Sequence, residues 1–147
     1  MEQESWTQQP PPPVPGTALV VWGRELCTPI DLTVSRGELQ ETVRTAWLRH
    51  RAPVDVDVDE LLLVYEELTS NGLRHGRSPV FVRVAATGDG WLVDVTDAAV
   101  DDPPVLAIDQ DPASGGLGLQ LVARLCQAHG WIVDDGRKHV WACVEAA

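Results

Sequence analysis

Glu67 and Asn71 stand four residues apart in the segment EELTSNGLRHG (66–76), which closes with Arg74, His75 and Gly76. On a helix that spacing places the acid and the amide one turn apart on a single strip, so both can serve one site. An amide oxygen can ligate Mg²⁺, a cation that keeps several waters and takes few protein ligands beside substrate phosphates. A carboxylate one turn earlier can accept a proton or orient a nucleophile. Taken alone, the pair is also what an ordinary solvated helix surface carries, and Glu66, about 100° around the axis, reads as a bystander. Asp97 continues the alternation of Trp91, Val93 and Val95 and so shares their apolar side. A carboxylate there needs a partner. Either it accepts a hydrogen bond from an exocyclic amine such as that of adenine, or the strand ends at Thr96 and Asp97 turns into solvent. Gly115-Gly116-Leu117-Gly118 opens a helical pattern whose free amides and positive dipole end suit a phosphate, with glycine allowing close backbone approach. The alternative is a plain loop end. No Gly-Lys-Ser/Thr follows and no strand immediately precedes, so neither the Walker nor the Rossmann pattern is present. Arg74 shares the strip of Glu67 and Asn71, and His75 reads as a helix-end cap within reach of a phosphate.

Other chemistries find little support. Cys27, Cys126 and Cys143 are scattered without metal-ligand spacing and read as small buried side chains in a reduced cytoplasm. His50, His129 and His139 form no metal pattern with cysteines or carboxylates. Ser70 and Ser114 belong to no Ser–His–Asp arrangement. Arg44, Arg49, His50 and Arg51 read as a solvated helix end. The six tryptophans are spread along the chain and read as packing residues.

These groups must be positioned by a single domain of 147 residues, 44% of them hydrophobic. The net charge of -11 argues against direct nucleic-acid binding. There is no apolar run long enough to span a membrane and no secretory signal, so a cytoplasmic location is expected. Residues 1–16 include four consecutive prolines and read as a disordered, proline-rich, solvated arm preceding a domain over 17–147. Strands are expected at 17–22, 79–86, 91–97, 131–134 and 140–144. The two later pairs form hairpins around Gly88-Asp89-Gly90 and Asp135-Gly136. A helix should start at the capping box Ser35-Arg36-Gly37-Glu38 and run to Arg49, with Leu39, Val43, Ala46 and Trp47 at helical spacing. A second should run from Val58 to His75, capped by Asp57 and stopped by a left-handed Gly76, with Leu61, Val64, Tyr65, Leu68 and Gly72 inward. A third should run from Leu117 to about His129, burying Leu121, Val122 and Leu125, and close at Gly130. Residues 98–115 read as a long loop of the functional or disordered kind. The order predicts an α/β protein: a two-layer sandwich, helices on one face of a mixed, mostly antiparallel sheet.

The boxes Glu67-x-x-x-Asn71…His75-Gly76, Val95-Thr96-Asp97 and Gly116-Leu117-Gly118-Leu119, in this order, resemble the GHKL (histidine kinase/Hsp90-like) ATPase superfamily. The likeness spans roughly residues 17–145 and is nearest to the anti-sigma-factor serine/threonine kinases of partner-switching systems. It implies a Bergerat-type ATP-binding fold with ATP between helices and sheet under a lid at about 98–115. Asn71 would hold Mg²⁺, Glu67 would act as general base and Asp97 would bind the adenine amine. Gly116, Leu117 and Gly118 would approach the phosphates, with Arg74 and His75 also at the nucleotide. The implied partner is an anti-anti-sigma protein with a STAS domain, phosphorylated on serine or threonine, or a sigma factor held by sequestration, with homodimerisation common among relatives. A sensor histidine kinase would need a phosphoacceptor helix pair, for which the chain leaves no room. Two features depart from the family pattern. The glycines of Asp-x-Gly-x-Gly are replaced in Asp97-Ala98-Ala99-Val100-Asp101, and His139 stands where relatives often carry a threonine near the adenine. These departures keep open a second expectation, a non-catalytic regulatory interaction module on the same fold.

Overall fold

The computed structural model describes residues 6–14, 16, 18, 20–50, 58–87, 90–104 and 117–145. Five strands, β1 (Val20–Leu26), β2 (Val80–Thr87), β3 (Gly90–Asp97), β4 (Ala128–Asp134) and β5 (Arg137–Glu145), form one sheet in the order β1-β2-β3-β5-β4. Every pairing between these strands is antiparallel. Three helices, α1 (Pro29–His50), α2 (Val58–His75) and α3 (Leu117–Leu125), complete the fold. The inward residues of the sheet are Val80, Val82, Val84, Ala86, Trp91, Val93, Val95, Val140, Ala142 and Val144. They form one core with Leu39 and Val43 of α1, the apolar strip of α2, and Leu119 and Val122 of α3. This is the expected two-layer sandwich.

α2 follows its sequence pattern: Leu61, Val64, Tyr65, Leu68 and Gly72 are all buried. Asp57, its expected cap, and the turn residues Gly88 and Asp89 lie outside the described residues, as does the loop from 105 to 116. The β4–β5 turn takes positive φ at both Asp135 (52°) and Gly136 (74°), the backbone of a two-residue primed turn.

Several details differ from expectation. β1 covers Val20–Leu26 in place of 17–22, and β4 and β5 each start three residues early, at Ala128 and Arg137. α1 starts at Pro29, six residues before the Ser-x-x-Glu box. The Asp31 carboxylate accepts the backbone N–H groups of Cys27 and Thr28, and Pro29 supplies a preset φ and needs no donor in the first turn. Ser35 is instead a fully buried mid-helix residue that donates to the Leu32 carbonyl and accepts from the Tyr65 hydroxyl. α3 ends at Leu125, a turn early, because Ala128, His129 and Gly130 are needed as strand residues pairing with β5. Its buried face is Leu119 and Val122 with Cys126 just beyond, while Leu121 and Leu125 are exposed. Gly76 is not left-handed: among the described glycines only Gly90 and Gly136 have positive φ. Its N–H donates to the Gly72 carbonyl at 2.9 Å, extending the helical bonding by one residue.

Residues 6–9 also depart from a solvated arm, whereas the prolines that follow are mostly exposed. Trp6 is buried, and the chain from Thr7 to Gln9 runs parallel along β4, with Gln9 N–H donating to the Trp131 carbonyl and Trp131 N–H to the Thr7 carbonyl. The prolines cannot donate to a ladder, but Thr7 and Gln9 precede them and can. Among the described residues no helix is long and apolar enough to cross a membrane.

Candidate active site at the ends of α2, β3 and α3

α2 lies close against β3 because it presents glycine at the contact. A Cβ at Gly72 would stand 2.9 Å from Val95 Cγ1, and one at Gly76 would stand 2.6 Å from Asp97 Cγ and 2.7 Å from its Oδ2. Gly76 is therefore required by close approach to Asp97, which gives a physical meaning to the His-Gly that ends the motif.

Asp97 is on the helix side of the sheet, as its parity demands, and only 1% exposed. Its Oδ1 accepts the backbone N–H of Ala99 at 2.7 Å and lies 3.5 Å from that of Arg77. Its Oδ2 lies 3.5 Å from Lys138 Nζ, and the Lys138 ammonium also donates to the Asp102 carbonyl at 2.8 Å. Lys138 pairs with Asp97 in the β3–β5 register and is itself buried. The residue beside Asp97 on the last hairpin is thus Lys138 and not His139, which occupies the opposite face and bonds Asp94 at 3.0 Å. Strand alternation is the physical reason: Lys138 shares the parity of Val140, Ala142 and Val144, all core residues. That alternation was present in the sequence and could have singled Lys138 out.

Glu67 is half-buried and meets α3 at Gly118. A Cβ at Gly118 would fall 2.5 Å from Glu67 Cδ and 3.1 Å from its Cγ. The acid so lies at the N-terminal, positive end of α3, where a negative charge is favoured. Desolvation, and secondarily the neighbouring Glu66 carboxylate, raise its pKa above the ordinary glutamate value, while Arg74 pulls the other way. A carboxylate with a raised pKa is a better proton acceptor when it ionises.

Asn71 lies one turn further along the same strip, and its Oδ1 is buried with no hydrogen-bond partner. A buried acceptor without a donor is costly. A cation or cation-bound water would satisfy it, so the donor set fits Mg²⁺ held by one amide oxygen together with phosphates. Among the described residues no group of three or more His, Cys, Asp or Glu side chains could hold a metal alone. Arg74 and His75 are exposed in the last turn of α2. His75 is eight residues, or about 12 Å of helix axis, beyond Glu67. Leu117 opens α3, and Gly116 lies outside the described residues.

The cysteines are not reactive centres of this site. Burial pushes the Cys126 thiol up to about 12 and the Cys143 thiol to about 11, whereas Cys27 is exposed, contrary to the expectation of three buried cysteines.

Five antiparallel strands with helices on one face, an acid and an orphaned amide in the second half of α2, and a buried aspartate at the end of β3 define a two-layer ATPase sandwich. Residues 37–144 match the family model of the histidine kinase-like ATPase domain, and the chain belongs to that family. No curated protein matches the chain.

Proposed function

We propose that this protein is an ATP-dependent serine/threonine kinase of the anti-sigma-factor type, acting in a partner-switching circuit. The observation that carries the reading is the Glu67 carboxylate, desolvated and set against the first turn of α3 one helical turn from the orphaned Asn71 oxygen. Family membership supports ATP as the phosphoryl donor. In this reading Asn71 Oδ1 holds Mg²⁺, which supplies charge neutralisation at the phosphates. Asp97 receives the adenine amine, and Gly116 to Gly118 with Arg74 and His75 flank the phosphates. Glu67 takes the proton of a serine or threonine hydroxyl as its oxygen bonds the γ-phosphorus, and the bridging bond to ADP breaks. The acceptor is a STAS-domain antagonist, with a sigma factor as the sequestered partner, and the setting is cytoplasmic.

A second reading is favoured by one observation. The Asp97 carboxylate is already engaged by Lys138, Ala99 and Arg77, and both members of the ion pair are buried. A base must share that carboxylate with Lys138, and a chain that no longer binds nucleotide would be an interaction module on this fold.

One experiment separates the two. The melting temperature of the wild type is measured with Mg-ATP beside Asn71→Ala, and phosphorylation of a STAS-domain antagonist is followed with Glu67→Gln. A ligand bound only by the native state raises stability by RT ln(1 + [L]/Kd). The kinase reading expects a rise that Asn71→Ala loses. It also expects Glu67→Gln to bind ATP as the wild type does while phosphotransfer falls about 100-fold or more. No rise at millimolar ATP, or undiminished transfer by Glu67→Gln, overturns it.

A further inference from the structure

The amino-terminal residues do more than lead into the domain. Trp6 is only 5% exposed and belongs to the core cluster. Its indole N–H points to the Leu119 carbonyl in the first turn of α3 at 3.3 Å, and its ring lies 4.8 Å from that of His129 on β4. Three residues on, Gln9 anchors the same segment to the sheet. Its N–H donates to the Trp131 carbonyl, its side-chain amide donates to the His129 carbonyl at 2.8 Å, and its own carbonyl accepts from Trp141 Nε1 at 2.9 Å. Trp6 sits on the helix side of the sheet, whereas Trp141 has the opposite parity to Val140 and Ala142. The segment therefore crosses the β4 edge from one face to the other. Gly130 makes the crossing close: a Cβ there would stand 2.8 Å from both the Thr7 carbonyl oxygen and Gln9 Cγ.

α3 has nine residues, too few to hold its shape without tertiary contacts. Its first turn is pinned at two adjacent positions. Gly118 receives Glu67 from α2, and Leu119 receives Trp6 from the amino-terminal segment. We propose that residues 6–9 are a strap, and Trp6 a positioning residue, that holds the first turn of α3 against Glu67 and thereby shapes the phosphate end of the nucleotide site. Trp6 touches no reacting group; it acts through α3. The functional half of this inference rests on the ATP-binding reading above, while the structural half does not.

The test uses the full chain as wild type, Trp6→Phe and Trp6→Ala. Amide exchange is read in α3 and, as an internal reference, in the β1–β2 pair, which the strap does not touch. Affinity is read with a fluorescent ATP analogue in Mg²⁺. Trp6→Ala is expected to speed exchange in α3 at least tenfold more than in β1–β2, and to weaken nucleotide affinity at least fivefold at a temperature where the variant remains folded. Trp6→Phe, which keeps an aromatic ring in the core but loses the indole's second ring and its N–H, is expected to recover most of both. Equal acceleration everywhere, or unchanged affinity with α3 loosened, would reduce Trp6 to a general core residue and overturn the positioning role. If the wild type binds no nucleotide, the ATP reading fails and the positioning role with it, and the exchange pattern alone then decides whether the strap holds α3.

Discussion

β3 and β5 carry two carboxylate–cation pairs on opposite faces of the same two strands. On the helix side Asp97 meets Lys138, with side chains 2% and 3% exposed. On the other side Asp94 meets His139, with side chains 8% and 24% exposed. The chemistry is similar and the surroundings are not. The inner pair has lost its water, is tied to the backbone by Ala99 and Asp102, and faces the end of α2 at Gly76. The outer pair keeps part of its solvent, and its cation titrates. One register thus builds a buried ion pair beside the candidate site and a partly solvated, pH-dependent one on the other face.

The sharpest way to break the comparison is Lys138→Met. It leaves the Asp97 carboxylate buried beside an apolar chain, and removing one partner of a buried pair costs about 3–5 kcal/mol. Denaturant unfolding should show that loss at pH 7, and a loss below about 1 kcal/mol would mean that water replaces the ammonium at no cost. Gly76→Ala should come next. The added methyl meets Asp97 and the Gly72 carbonyl oxygen, a backbone atom that cannot swing away. Overpacking of this kind costs about 1–3 kcal/mol. It should disturb the inner pair alone, so the His139 titration followed by NMR should stay where it is in the wild type.

The smallest effect belongs to His139→Asn, and its sign depends on pH. The bond from Asp94 raises the folded-state pKa of His139 above the ordinary histidine value, against a lowering by desolvation. A raised folded pKa means that the pair's stabilisation is fully present below the unfolded value of about 6.5 and disappears as pH rises through the folded value. The wild type should therefore exceed His139→Asn by up to about 1 kcal/mol near pH 5.5, with the difference fading as pH rises through the folded value. A pH-independent difference would show that the histidine acts by packing and not by charge.

How much of this was legible can be argued residue by residue. α2 is legible in the sequence because its apolar strip and its polar strip agree on one period. Strand parity offers an inward Asp97 and, equally, an inward Lys138, but only the structure excludes the alternative in which the strand ends at Thr96 and Asp97 turns into solvent. The start of α1 is not legible locally, because Ser35-x-x-Glu38 fits a capping box yet lies inside the helix, where Ser35 accepts from the Tyr65 hydroxyl thirty residues away. The end of α3 is not legible because Ala-His-Gly resembles a helix stop, and only pairing with β5 and the crossing of Gln9 over Gly130 make it strand. The polyproline run suggested an arm in water, but the anchors are Trp6, Thr7 and Gln9, which precede it and have both donors and apolar surface.

By itself the sequence determined what short-range physics determines: the periods of helices and strands, the two-residue turn at Asp135-Gly136, and the separation of Glu67 and Asn71 by one turn. Tertiary structure alone decided which distant groups meet: Glu67 with Gly118, Asp97 with Gly76 and Lys138, and Trp6 with Leu119. Those meetings depend on strand order and helix approach, which are set by burial summed over the whole core and are not encoded in any local window.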